Sequence, residues 1–248
     1  MAEMMKGNEA IAEAAIRAGA RFYAGYPITP SSEIMEYLSW RMNEVGGAFV
    51  QAESELAGIN MVIGASSCGV RALTASSGPG ISLKQEGIST LCDEGLPAVV
   101  ITQVRYGNGL GTLFTSQCDY HRETRGGGQG DYRCIVLCPS SIQEFVDLML
   151  PAYELAEKYR IVTIMMGEGT LGQMMEPVEL PDFVEPKRTP WALNGHYTYK
   201  KIGIFERDSM AEAVELRAKY AEIKENEQRW EEEDIADADY VFVAYGVP

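Results

Sequence analysis

The strongest constraint in this sequence is an alternation. Short apolar runs of strand length recur between stretches of helical pattern along the first 170 residues. The runs fall at residues 21–25, 48–51, 70–75, 98–104, 134–138 and 161–166. Strands this uniformly apolar are buried on both faces. Between them, residues 9–18, 56–63, 81–91 and 142–158 read as helices, the first with Ile11, Ala14, Ala15 and Ala18 on one side. Asn8 is the expected cap of that helix and Gly19 its end. Thr29 is the expected cap of another, with Pro30 in its first turn and Ile34, Met35, Tyr37 and Leu38 along it. Strands spaced by helices form βαβ units, and right-handed crossovers wind such units onto both faces of one parallel sheet. The expected fold is therefore α/β, a doubly wound parallel sheet.

Composition narrows the function. A chain of 248 residues, 46% hydrophobic and 23% charged, can bury a real core. Its 21 Lys and Arg against 36 Asp and Glu give a net charge of −15. Residues 222–239 hold nine acids and two bases, a net of −7 that leaves −8 for the rest. With no cluster of basic residues, nucleic acid is not an expected partner. Apolar runs such as 161–166 are far shorter than the roughly 18–20 residues of a spanning helix, so no membrane segment is expected. The first residues lack the basic-then-apolar plan of a signal peptide, which points to the cytoplasm. Five cysteines (Cys68, Cys92, Cys118, Cys134, Cys138) contain no Cys-x-x-Cys pair, so neither zinc nor an iron–sulfur cluster is expected on this chain. Cys134 and Cys138 read as buried free thiols.

Beyond residue 171 the alternation stops. Residues 172–201 are proline-dense and irregular. A long helix is expected over 209–233, with Ala213, Leu216, Tyr220 and Ile223 as its apolar stripe and its charged end in solvent. Residues 239–246 read as a buried strand, the start of a second α/β domain cut short. The expected division is 1–171, 172–236 and 237–248.

In open α/β sheets, ligands bind beyond the carboxyl ends of the strands. Four segments leave strands at that end: residues 25–31, 52–58, 76–80 and 105–112. Thr29 either caps a helix or offers its hydroxyl to a ligand. Glu53 and Glu55 either complement a helix dipole or act on a ligand. Residues 76–80 lack the Lys and spacing of a phosphate-binding P-loop, and a tight turn is the simpler reading. Arg105 either forms an internal salt bridge or grips a carboxylate with its fork of donors. The glycine run 126–130 reads as a mobile loop. His121 and His196 lie too far apart from this set in sequence to form a triad, and no Gly-x-Ser-x-Gly elbow is present. From the residues alone the site is a candidate carboxylate-binding site with no named reaction.

Taken together, the segments resemble the first domain of the alpha subunit of 2-oxoacid:ferredoxin oxidoreductases. The resemblance is carried by Tyr26-Pro-Ile-Thr-Pro-Ser-Ser-Glu33, by Glu53-Ser-Glu-Leu-Ala-Gly-Ile-Asn60 and by residues 74–87. Within the family, residues 109–111, 116–120, 126–132 and 171–177 look like the 2-oxoisovalerate, branched-chain type. The resemblance implies thiamine diphosphate as cofactor, with residues 1–171 as the domain on its pyrimidine side. It implies Glu55 as the catalytic carboxylate, with Glu53 as second choice, Thr29 and Arg105 as substrate contacts, and Tyr26, Pro27, Ser76 and Gly78 beside the cofactor. A beta subunit is then expected to hold the diphosphate and Mg²⁺. Gamma and delta subunits would carry iron–sulfur clusters, ferredoxin would take the electrons and coenzyme A the acyl group, in a dimer of heteromers. The same chemistry on pyruvate or 2-oxoglutarate, a flavodoxin-like FMN module and a non-catalytic scaffold are the alternatives.

Overall fold

A computed structural model describes residues 2–185, 189–193 and 209–247. Its elements in chain order are β1 (Glu3–Lys6), α1 (Gly7–Arg17), β2 (Phe22–Gly25), α2 (Ser32–Glu44), β3 (Ala48–Gln51), α3 (Glu55–Ser67), β4 (Ala72–Ser76) and α4 (Gly78–Asp93). They continue with β5 (Ala98–Val104), α5 (Tyr120–Arg125), β6 (Ile135–Leu137), α6 (Ile142–Tyr159), β7 (Val162–Glu168), α7 (Gly169–Gln173), β8 (Met175–Val178) and α8 (Ser209–Asn226). Six strands form one sheet in the order β3-β2-β4-β5-β7-β6, with every neighbouring pair parallel. Every residue of the inner strands β4 and β5 is buried, which explains their unbroken apolar pattern.

The strand order dictates the winding. The steps β2→β3 and β6→β7 run one way across the sheet, whereas β3→β4 and β4→β5 run the other. Right-handed crossovers therefore put α2 and α6 on one face and α3 and α4 on the opposite face. The packing agrees: α1 lies against α2 and α6, and α3 lies against α4. This is the expected doubly wound parallel sheet. The winding reverses between β2 and β4, and a crevice opens there at the carboxyl edge. The registers Gly25↔Gln51 and Ser76↔Thr102 bring the segments after those strands off one edge together.

Several local expectations are corrected. Asn8 does not cap α1; it lies inside the helix, fully buried, donating to the Pro30 carbonyl at 2.6 Å and to Glu33 at 2.7 Å. Thr29 does not cap α2, whose N-cap is Ser31, and Thr29–Pro30 is a cis peptide that precedes the helix. β1 and β8 form an unanticipated antiparallel pair apart from the main sheet. The glycine run 126–130 is tied down: Gly127 and Gly128 N–H groups donate to the Tyr132 hydroxyl, and Ser89 donates to the Gln129 carbonyl.

α8 keeps its predicted stripe, with Tyr220 and Ile223 packed against the core, but it ends at Asn226 rather than 233. Glu227 turns back to Lys158 and the Tyr159 hydroxyl, each at 2.7 Å, and the acidic residues after it repel one another in a helix. Residues 239–246 form no strand. Phe242 and Val243 are each 95% exposed, and among the described residues no strand pairs with this segment. Tyr245 instead packs on Tyr120 and donates to the Gln117 carbonyl at 2.7 Å. His196 lies outside the described residues. Among the described residues no helix is long and apolar enough to cross a membrane.

Candidate active site at the reversal of the sheet

The two candidate glutamates separate cleanly. Glu53 is exposed, whereas Glu55 is the first residue of α3 and only 6% exposed. Ser54 between them caps the helix, accepting the Ala57 N–H at 3.2 Å, and this fixes which carboxylate turns inward. Glu55 points across the crevice to the start of α4. A Cβ built on Gly80 would lie 2.6 Å from Glu55 Oε1 and closer still to Ser76 Oγ. Only a glycine there leaves room for the carboxylate.

Residues 76–80 are not a loop but the junction of β4 with α4, which begins earlier than its apolar pattern suggests. Ser76 ends the strand and Ser77 is the N-cap without a side-chain cap bond. Both hydroxyls are buried and have no partner. Buried hydroxyls are ordinarily satisfied, so an orphan such as Ser76 Oγ close to a buried carboxylate marks a place prepared for something polar. The structure thus brings Ser76, Gly80 and Glu55 together.

Arg105 closes the other side. It is 7% exposed and donates to the Thr29 carbonyl at 2.7 Å and to the Leu110 carbonyl at 2.6 Å. Among the described residues it has no carboxylate partner, so the internal salt bridge is absent. Two of its five N–H groups are used, and its buried Nε is unpartnered beside Gly78, whose φ of +44° suits glycine. Thr29 and Gly78 therefore both meet Arg105. Tyr26 (40% exposed) and Pro27 lie exposed on the same edge after β2. Among the described residues no group of three or more His, Cys, Asp or Glu is placed to hold a metal.

Three supports escaped the sequence reading. Lys84 is fully buried and donates to Thr74 Oγ1 at 3.0 Å and to the Glu55 carbonyl at 3.4 Å. Burial pushes its ammonium down to about 8, against the pull of the Glu55 charge. The signal was present: Lys84 falls on the buried face of α4 with Ile81, Gln85 and Ile88. Arg122 donates to the Gly78 carbonyl at 3.0 Å and pairs with buried Glu123 at 2.7 Å. Burial raises the Glu123 pKa against the opposing Arg122 charge. Glu33, finally, gathers Lys6, Asn8 and Gln173 under the Thr29–Pro30 turn. Burial alone would raise its pKa, but those hydrogen bonds, Lys6 first, hold it below the ordinary carboxylate value.

Known proteins resemble this chain over most of its length. The family model described as pyruvate flavodoxin/ferredoxin oxidoreductase, thiamine-diphosphate-binding, matches residues 13–239. Ketoisovalerate oxidoreductase subunit VorB of Methanothermobacter marburgensis is 49% identical over 99% of this chain and 72% of its own length. 2-Oxoglutarate synthase subunit KorA of Methanocaldococcus jannaschii is 38% identical over 99% of this chain and 75% of its own. Among solved structures, 2-oxoglutarate:ferredoxin oxidoreductase from Magnetococcus marinus, with 2-oxoglutarate, coenzyme A and succinyl-CoA bound, superposes with a TM-score of 0.73 at 32% identity. That match covers 83% of this chain and 36% of the neighbour's chain. With one family model running through both its sheet and its site, this chain belongs to the thiamine-diphosphate-binding family of 2-oxoacid:ferredoxin oxidoreductases.

Proposed function

We propose that this chain is the alpha subunit of an enzyme that oxidatively decarboxylates a branched-chain 2-oxoacid, 2-oxoisovalerate, to its acyl-coenzyme A and CO2. It would supply the pyrimidine side of the cofactor site. The observation that carries this reading is Glu55: a buried carboxylate at the reversal of the sheet, facing the orphaned Ser76 hydroxyl across a glycine gap. Those groups fit a polar heterocycle better than a metal or a phosphate.

When bound, thiamine diphosphate supplies an electron sink for loss of CO2 from the 2-oxoacid. Glu55 Oε would share a proton with the aminopyrimidine ring and so raise the basicity of its amino group. Tyr26, Pro27, Ser76 and Gly78 would line the ring. Arg105 keeps three N–H groups for the substrate carboxylate and holds the Thr29 backbone, and the Thr29 hydroxyl would meet the oxo group. The reading places the diphosphate and Mg²⁺ on a beta subunit and the iron–sulfur clusters on gamma and delta subunits, with ferredoxin as electron acceptor. It takes the assembly as a cytoplasmic dimer of heteromers. Relatives named as subunits support the need for partners, and the VorB names support a branched-chain substrate.

The test is oxoacid-dependent reduction of a viologen dye by the assembled complex with coenzyme A. Wild type should prefer 2-oxoisovalerate over pyruvate and 2-oxoglutarate. Glu55→Gln should lose on the order of a hundredfold or more with assembly intact, while Glu53→Gln should stay near wild type. A 2-oxoglutarate preference would move the substrate to that of the KorA relatives. Silence of both glutamate variants would end the thiamine reading.

A further inference from the structure

Burying an ammonium is costly unless it gains a partner of opposite charge. Lys84 is fully buried, yet its hydrogen-bond acceptors are a neutral hydroxyl, Thr74 Oγ1, and a peptide carbonyl, that of Glu55. Among the described residues no carboxylate ion-pairs with it. A methionine would fill similar volume without desolvating a charge. Its neighbour on the same helix face, Gln85, is by contrast used in packing, accepting the Tyr132 hydroxyl at 2.6 Å.

Among the described residues, Glu55 is the charged group that acts on Lys84. β4 and β5, which flank it, bring no ionisable side chain between their ends. β7 contributes only Glu168 at its far end, engaged with Gln117. On α4 itself, Glu86 is exposed. Arg105 stands beyond β5 on the Gly78 side. From α3, Glu55 presents both its carbonyl to the ammonium and its carboxylate to the crevice.

We propose that Lys84 is a positioning residue for Glu55: its ammonium, held between Thr74 Oγ1 and the Glu55 carbonyl, fixes the first residue of α3 and so the direction in which the Glu55 carboxylate faces the aminopyrimidine ring. This rests on the reading of Glu55 given above. Burial lowers the proton affinity of Lys84 to about 8, while the Glu55 charge raises it.

The test uses the assembled, cofactor-loaded complex without oxoacid, reading deuterium exchange at the thiazolium C2 of bound thiamine diphosphate from pH 5 to 9. Lys84→Met should slow exchange about tenfold across this range, and Lys84→Gln, which keeps a donor but no charge, should recover part of that loss. The thermal midpoint of Lys84→Met should exceed wild type below pH 8. That gain should shrink as pH rises from about 8 toward the ordinary lysine value of 10.5, because the folded-state pKa is the lower one. An unmoved exchange profile in both variants, with exchange abolished in Glu55→Gln, overturns the proposal and leaves Lys84 as packing. Wild-type exchange in Glu55→Gln overturns the reading of Glu55 itself, and the proposal with it.

Discussion

Two buried carboxylates in this fold have opposite surroundings. Glu13, on α1, is 3% exposed and fully partnered. Arg17 donates at 2.9 Å, Arg41 at 3.0 and 3.1 Å and the Tyr37 hydroxyl at 3.1 Å. Burial would raise its pKa, but Arg41 and Arg17 outweigh burial and hold it below the ordinary carboxylate range. The same burial and the Glu13 charge push Tyr37 up to about 12. Glu55 is 6% exposed, but it faces the orphaned Ser76 hydroxyl and a glycine gap, while the Lys84 ammonium donates to its carbonyl. A carboxylate whose partners are all supplied by its own chain has finished its work on folding. One buried among unsatisfied groups is arranged for something that arrives later. Burial alone does not separate the two roles; satisfaction does.

The largest effect should come from filling the gap that keeps Glu55 unsatisfied. In Gly80→Ala the new methyl meets Glu55 Oε1 and Ser76 Oγ, both held by backbone at helix or strand ends. Displacing the carboxylate by a fraction of an ångström to one ångström should lower turnover about a hundredfold. Unfolding midpoints would fall only by the amount typical of overpacking, about 1–3 kcal/mol. Turnover within threefold of wild type would mean that Glu55 need not stay where this structure holds it.

The complementary change is Glu13→Leu, which should leave turnover per folded complex unchanged. It takes the shared carboxylate from Arg17 and Arg41, and because Arg41 keeps Glu44 and both retain partial solvent contact the cost should be about 2 kcal/mol, less than for a fully buried pair. Its sign with pH is distinctive. The folded pKa of Glu13 lies below its unfolded value, so its contribution is complete above about 4.5 and is lost as pH falls through the folded pKa. Thermal midpoints of wild type and variant should therefore converge toward pH 3 and stand furthest apart at neutral pH. A gap that widens on acidification would assign Glu13 another role.

The same contrast explains what could be read before the fold was known. The sheet was legible because strands buried on both faces give unbroken apolar runs, as at 98–104, where expectation and β5 coincide. β1 and β8 were not, since each is short and half exposed. α5 hides between glycines and charges, and its buried Glu123 accepts a hydrogen bond from Thr102, distant in sequence. The apolar segment 239–246 looked like a strand, but apolar pattern supplies no neighbour to pair with. At the site, position after a strand picked out Thr29, Glu55 and Arg105. Choosing Glu55 over Glu53 needed the family pattern, since the inward turn depends on the Ser54 cap. Lys84 was legible as a lysine among apolar positions at helical spacing, and was overlooked.

Arg105 offers the smallest and most selective effect, because its charge and its geometry can be separated. Its guanidinium holds the Thr29 and Leu110 carbonyls from two nitrogens at once, which a lysine ammonium on a flexible stem cannot reproduce. Arg105→Lys keeps the positive charge at the mouth of the crevice but loses the fork, so a carboxylate would still be attracted without being oriented. The expected outcome in the assembled complex is a KM for the 2-oxoacid raised about tenfold with kcat reduced less, roughly 1.4 kcal/mol in binding. Because the loss acts at the carboxylate common to all 2-oxoacids, it should be equal for 2-oxoisovalerate, pyruvate and 2-oxoglutarate and leave their ranking intact. If instead the ranking changes, Arg105 acts chiefly through Leu110 and the 106–115 segment on the substrate side chain, and the carboxylate must be held elsewhere.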